Sequence, residues 1–175
     1  MEPALPESWV PDEYLMALGR LAIEWASLEQ FIDGLCVVAF NQLGGRQQLN
    51  EPLPRSFGRK VRFLRKAFTK LAALSRWKKE ALALLTSLPV LSAQRHRLIH
   101  AAPYAWDEGG NVSLVKFRYE ETDFYTDRSQ ASAAEIETLR KKIRTQSGRW
   151  MPICNGVLRV VFPNYFEKAD GKFAR

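Results

Sequence analysis

Histidine and cysteine are scarce in this 175-residue chain, with two of each, and that scarcity narrows the chemistry open to it. Cys36 and Cys154 sit among apolar residues with no partner at metal-ligand spacing. Zinc sites and disulfide frameworks are therefore not expected, and both thiols read as small core residues in a reducing compartment. No apolar run reaches the roughly 18 residues needed to cross a bilayer, and Met1–Pro11 lacks a charged-then-apolar secretory pattern. The expectation is a soluble cytoplasmic protein with no membrane partner. The glycine pairs Gly44-Gly45 and Gly109-Gly110 lack Walker spacing and a following Lys-Ser/Thr, which argues against triphosphate hydrolysis. With neither a carboxylate cluster nor a Cys/His set, no metal and no cofactor is expected.

One further absence is local. From Arg55 to Lys79 there is no acidic residue, while Arg55, Arg59, Lys60, Arg62, Arg65, Lys66, Lys70, Arg76, Lys78 and Lys79 are all basic. The whole chain carries a formal charge of +7 from 26 Lys+Arg against 19 Asp+Glu, a field that attracts polyanions. The run reads as a candidate RNA surface, with Arg55, Arg59, Lys60, Arg62, Arg65, Lys66 and Lys70 as its contacts. A solvated helix face or a site for an acidic protein partner fits the same residues.

Apolar periodicity predicts a mainly α protein, an up-and-down bundle of four to five helices with a small β-hairpin inserted before the last long helix. Residues 1–175 form one expected domain, with a proline-rich lead-in over 1–11, the hairpin insertion over 104–131 and a polar tail over 164–175. Asp12 is a candidate N-cap for a first helix striped by Leu18, Leu21, Trp25, Leu28, Ile32, Leu35 and Ala39. This helix should stop near Asn41 to Gly45, before a loop of about a dozen residues. Phe57, Val61, Leu64, Phe68 and Leu71 mark a second helix. A third runs from near Ser75 to His100 with Pro89 as an expected kink or break. Alternation around the turn Asp107–Asn111 predicts the hairpin, with a third strand near Phe124-Tyr125. Trp106, Phe117, Tyr119, Phe124 and Tyr125 stand there among Lys116 and Arg118, a mixture able to stack bases but more commonly packed against a bundle. Ser132-x-x-Glu135 is a capping box opening a last helix striped by Ile136, Leu139, Ile143, Trp150, Ile153 and Val157.

Both histidines fall in one window, Arg95-His96-Arg97-Leu98-Ile99-His100, at the end of the third helix. At about 100° per residue, Arg95 lies in the apolar stripe of Leu84, Leu88 and Leu91, the two histidines flank that stripe, and Arg97 faces water. An unpaired buried guanidinium costs several kcal/mol, on the order expected for an isolated buried charge. Arg95 must therefore pair with a carboxylate, for which Glu24 and Glu29 on the first helix are the supporting candidates, or else open on a cleft or interface.

Arg95, a polar residue after it, and His100 near a helix end in a basic bundle resemble the R-x4-6-H signature of HEPN domains. The Trp25-x-x-Leu28-Glu29 stretch and the Phe57-Gly58-x-Lys60 helix entry are similar to the same family, over residues 12–103. The resemblance implies a metal-independent endoribonuclease whose site forms at the two-fold interface of a homodimer. Arg95 would stabilise the scissile phosphate, His100 would act as general base or acid, and His96 would support the site. It also implies RNA as partner, an antitoxin protein as a further candidate partner, and a role as a toxin or in phage defence. The alternative is a non-catalytic helical scaffold in which Arg95 is tied to Glu24 or Glu29 and the basic face binds an acidic protein.

Overall fold

The structure, a computed structural model, describes residues 10–120 and 123–164. Most of the proline-rich lead-in and all but the first residue of the polar tail lie outside the described residues. The fold is mainly α. Its elements, in chain order, are α1 (Asp12–Asn41), α2 (Gly45–Gln48), α3 (Phe57–Lys70), a 3-10 segment (Ala72–Trp77), α4 (Lys78–Ile99), strands β1 (Ala102–Trp106), β2 (Asn111–Glu120) and β3 (Asp123–Ser132), and α5 (Ala133–Val161).

The chain divides into two compact units, and each of α1, α4 and α5 contributes a stretch to both. One unit takes the chain up to Trp25 together with Val90–Ile143. Its core holds Tyr14, Leu21 and Trp25 of α1, Leu91 and Leu98 of α4, Val112 and Leu114 of β2, and Ile136, Leu139 and Ile143 of α5. The second unit takes Ala26–Pro89 and the chain from Arg144 onward. There Ile32, Phe63, Leu64, Phe68, Leu84, Leu85 and Trp150 are buried, with Phe68 and Trp150 tilted against each other at 6.3 Å between ring centroids.

Local chemistry sets the boundaries. Asp12 is the first residue of α1 rather than its cap, since the Tyr14 and Leu15 amides donate to the Pro11 carbonyl. After α1, Gly44 takes a left-handed φ of 80°, which glycine reaches without steric cost, and the chain turns into α2, a helical turn inside what periodicity reads as loop. Pro89 and Pro152 interrupt neither α4 nor α5. Each removes one amide donor from the helix ladder, and both rings stand at exposed positions. The Ser132 hydroxyl accepts from the Glu135 amide at 3.2 Å, so the serine half of the predicted capping box forms, while the Glu135 carboxylate pairs with Arg97 instead of closing the box.

The sheet is antiparallel in the order β1-β2-β3. A turn closes β1 to β2, where Gly110 is at φ 75° and the Asp107 carboxylate accepts from the Asn111 amide at 2.9 Å. The third strand is ten residues long, and a bulge at Tyr104 shifts the β1–β2 register. Trp106, Phe117, Tyr119, Phe124 and Tyr125 do not pack into a bundle but are exposed. Strand alternation gives the buried face to Val112 and Leu114, so Phe117 and Tyr119 are turned to the other face.

Two glycines of different surroundings make opposite predictions. A Cβ at Gly45 would stand 2.5 Å from the Ala39 carbonyl oxygen, whereas at Gly19, inside α1, it meets nothing within 4 Å. Gly45→Ala should destabilise by about 1–3 kcal/mol through overpacking, and Gly19→Ala should stabilise by roughly 0.5–1 kcal/mol through helix propensity. Urea midpoints of the two variants moving in the same direction would contradict this packing.

Candidate functional site

The last turn of α4 carries the site. The His100 amide donates to the His96 carbonyl at 3.1 Å, so the helix repeat stacks the two side chains one above the other. Their rings lie 4.3 Å apart at 45°. One guanidinium nitrogen of Arg95 reaches the His100 Nε2 at 3.4 Å. An arginine only donates, so this contact calls for a neutral imidazole with its lone pair at Nε2 and its proton at Nδ1.

Arg95 does not find its expected carboxylate. Glu24 accepts from Arg140 of α5 at 3.2 Å, and Glu29, in the second unit, pairs with Lys60 at 3.3 Å. The Arg95 guanidinium instead lies over the Trp25 ring, 5.7 Å from its centroid, within cation–π range. Its Nε is shielded from water and meets no acceptor among the described residues. Trp25 satisfies the apolar part of a half-buried cation without neutralising it, and the arginine keeps its charge available. Arg97, expected to face water, donates to the Gln130 carbonyl at 3.2 Å and pairs with Glu135, tying the helix end to β3 and α5.

Two residues that sequence reasoning assigned elsewhere belong here. Trp25 reads as one more apolar position of the α1 stripe. Lys116 reads in the sequence as part of the aromatic and basic mixture of the hairpin, and only the β-register brings it to His96. Burial holds the His96 imidazole below its ordinary pKa, and its neighbours Lys116, His100 and Arg95 lower it further. The cross-strand neighbour of Lys116 is Asp127, whose carboxylate is bound to Arg118 at 2.6 Å. The cluster Arg95, His96, His100 and Lys116 is thus rich in positive charge, a setting suited to an anion that gains charge during reaction.

The basic run behaves less uniformly than its sequence suggests. Lys60 is turned inward, its ammonium 3.3 Å from Glu29 and 2.6 Å from Asp33, with 12% of its side chain exposed. It braces α3 to α1 and is not a surface contact. Arg65 donates to the Thr86 hydroxyl at 3.1 Å, and Lys66 pairs with Glu51. Arg55, Arg59, Arg62 and Lys70 are exposed. Both cysteines are free and buried, and burial pushes each thiol up to about 12, which leaves them without nucleophilic character at neutral pH. Among the described residues no three His, Cys, Asp or Glu side chains converge as a metal site, and no helix is long and apolar enough to cross a membrane.

In comparisons with protein-family models, with curated proteins and with solved structures, none matches this chain.

Proton titration of the two imidazoles by NMR tests the electrostatics. His96 should titrate below the ordinary histidine value of about 6.5 and shift upward in Lys116→Met. Added inorganic phosphate should shift it upward in the wild type as the anion offsets the cations. A His96 resonance insensitive to both changes would remove Lys116 from the site.

Proposed function

We propose that the chain is a HEPN-like, RNA-binding, metal-independent endoribonuclease. The observation that carries this reading is a guanidinium held on an aromatic face, with no carboxylate partner among the described residues, in contact with one of two adjacent imidazoles. In the proposed reaction a ribose 2′-oxygen attacks the adjacent phosphorus while an imidazole takes its proton. The bond from phosphorus to the 5′-oxygen breaks, and a protonated imidazole gives the leaving oxygen its proton, leaving a 2′,3′-cyclic phosphate and a 5′-hydroxyl. His100, which Arg95 contacts at Nε2, is assigned as the base. His96, its pKa lowered by burial and then by Lys116, His100 and Arg95, is the second imidazole, and once a bound phosphate favours its protonated form it gives the leaving oxygen its proton. Arg95 and Lys116 stabilise the negative charge that builds on the phosphoryl oxygens.

The reading includes a homodimer with two copies of the site across a two-fold axis, a cytoplasmic location, a role as a toxin or in phage defence, and an antitoxin protein as partner. The competing reading, a non-catalytic helical scaffold whose basic face binds an acidic partner, would be favoured by Arg95 tied to Glu24 or Glu29 and His100 buried. Instead those carboxylates are bound to Arg140 and Lys60, and His100 is exposed.

The test is incubation of the purified protein with total cellular RNA and with tRNA in EDTA. Cleavage leaving 2′,3′-cyclic phosphate ends is expected. His100→Ala should slow it by roughly 10²–10⁴-fold and Arg95→Ala by about 10²–10³-fold, both variants keeping their circular dichroism. Intact RNA with a folded, dimeric wild type, or full activity in either variant, would overturn the assignment.

A further inference from the structure

In the second unit a groove of about 880 Å³ opens between the chain ahead of α3 and the face of that helix. Its helix side carries Arg59, Arg62 and Lys66, and Arg55, just ahead of the helix, also lines it. The first three stand at i, i+3 and i+7 and so share one stripe, about 10 Å long at the rise of an α-helix. The facing wall is Pro52, Leu53 and Pro54, whose prolines are stiff and offer no amide donor. A volume in the range of ligand sites, with one apolar wall and one polar, is the general form of a binding pocket.

The charges carry the inference. The side chains of Arg55, Arg59 and Arg62 make no ion pair and no hydrogen bond with any described residue, and α3 has no acid in its first turn. Three guanidinium groups lining one groove repel one another unless an anion lies among them. The single acidic residue on the lining, Glu51, is ion-paired with Lys66 at the far end, an internal carboxylate occupying the one cation that has a partner. Arginine offers paired donors matched to phosphate oxygens.

We propose that this groove binds a run of consecutive phosphate groups, held by Arg55, Arg59 and Arg62, with Lys66 joining when it exchanges Glu51 for the ligand. A single-stranded nucleic-acid backbone and a free linear polyphosphate present the same chemistry. The site is independent of the ribonuclease reading, because it concerns binding by other residues and requires no cleavage.

The test uses two probes on the full chain: inorganic triphosphate by calorimetry, and a fluorescent 2′-O-methyl RNA 12-mer, which 2′-hydroxyl attack cannot cut, by anisotropy at several salt concentrations. The double variant Arg59→Ala, Arg62→Ala should bind at least one probe roughly tenfold more weakly and, for RNA, show a shallower salt slope. Glu51→Gln should bind severalfold more tightly by releasing Lys66. Lys78→Ala, Lys79→Ala removes the same formal charge outside the groove and should have a much smaller effect. Groove-dependent binding of triphosphate alone assigns a free polyphosphate, and of RNA alone a nucleic-acid backbone. No binding of either probe, undiminished binding by the arginine double variant, or equal losses in the two double variants overturns the proposal.

Discussion

A guanidinium set in the apolar stripe of a helix must be compensated, and how it is compensated decides what it can do. A carboxylate partner would have satisfied Arg95 and cancelled its charge at the same time. The Trp25 ring does only the first: it gives the cation a polarisable surface and leaves the charge in place. The rest of the α4 terminus follows from this. The guanidinium reaches His100, the His100 ring lies tilted against His96, and the carboxylates expected as partners, Glu24 and Glu29, are engaged by Arg140 and Lys60.

The sheet completes the arrangement through alternation. Val112 and Leu114 point into the core of their unit, and continuing the same face along β2 arrives at Lys116, the cation that acts on His96. The next residue, Phe117, is on the opposite face and stacks with Phe124 at 5.2 Å, and Tyr119 meets Phe124 edge-on at 5.4 Å. One strand thus supplies core, site and an exposed aromatic surface, and a one-residue slip would exchange them.

The helices were legible in the sequence because their stripes are long. Leu21, Trp25, Leu28, Ile32 and Leu35 recur at three and four and are buried, and so are Ile136, Leu139, Ile143, Trp150, Ile153 and Val157. The positions of Arg95, His96 and His100 on one helix end were legible for the same reason. Proline was misleading at Pro89, the expected kink or break, because α4 runs through it, as α5 runs through Pro152. Side-chain partners were not legible. Glu24 borders the core stripe as expected but meets Arg140, which is 116 positions away in the chain, and no periodicity encodes that choice. Lys60 shows the converse, since a cation surrounded by cations in sequence is brought to Glu29 and Asp33 by folding. Lys116 depended on strand register, which the sequence constrains only through the tight turn at Asp107–Asn111.

The two outer strands differ in how they meet the danger that an open sheet edge poses. β1 is five residues long, with Pro103 and a bulge at Tyr104 interrupting its backbone ladder, and both features deny a regular template to an incoming strand. β3 is ten residues long and largely exposed, so brevity does not protect it. Asp123, Asp127 and Arg128 place charge along that edge, making a foreign strand desolvate ionised groups before it can pair. The aromatic surface beside them can therefore stay uncovered without inviting the chain to polymerise through its own sheet.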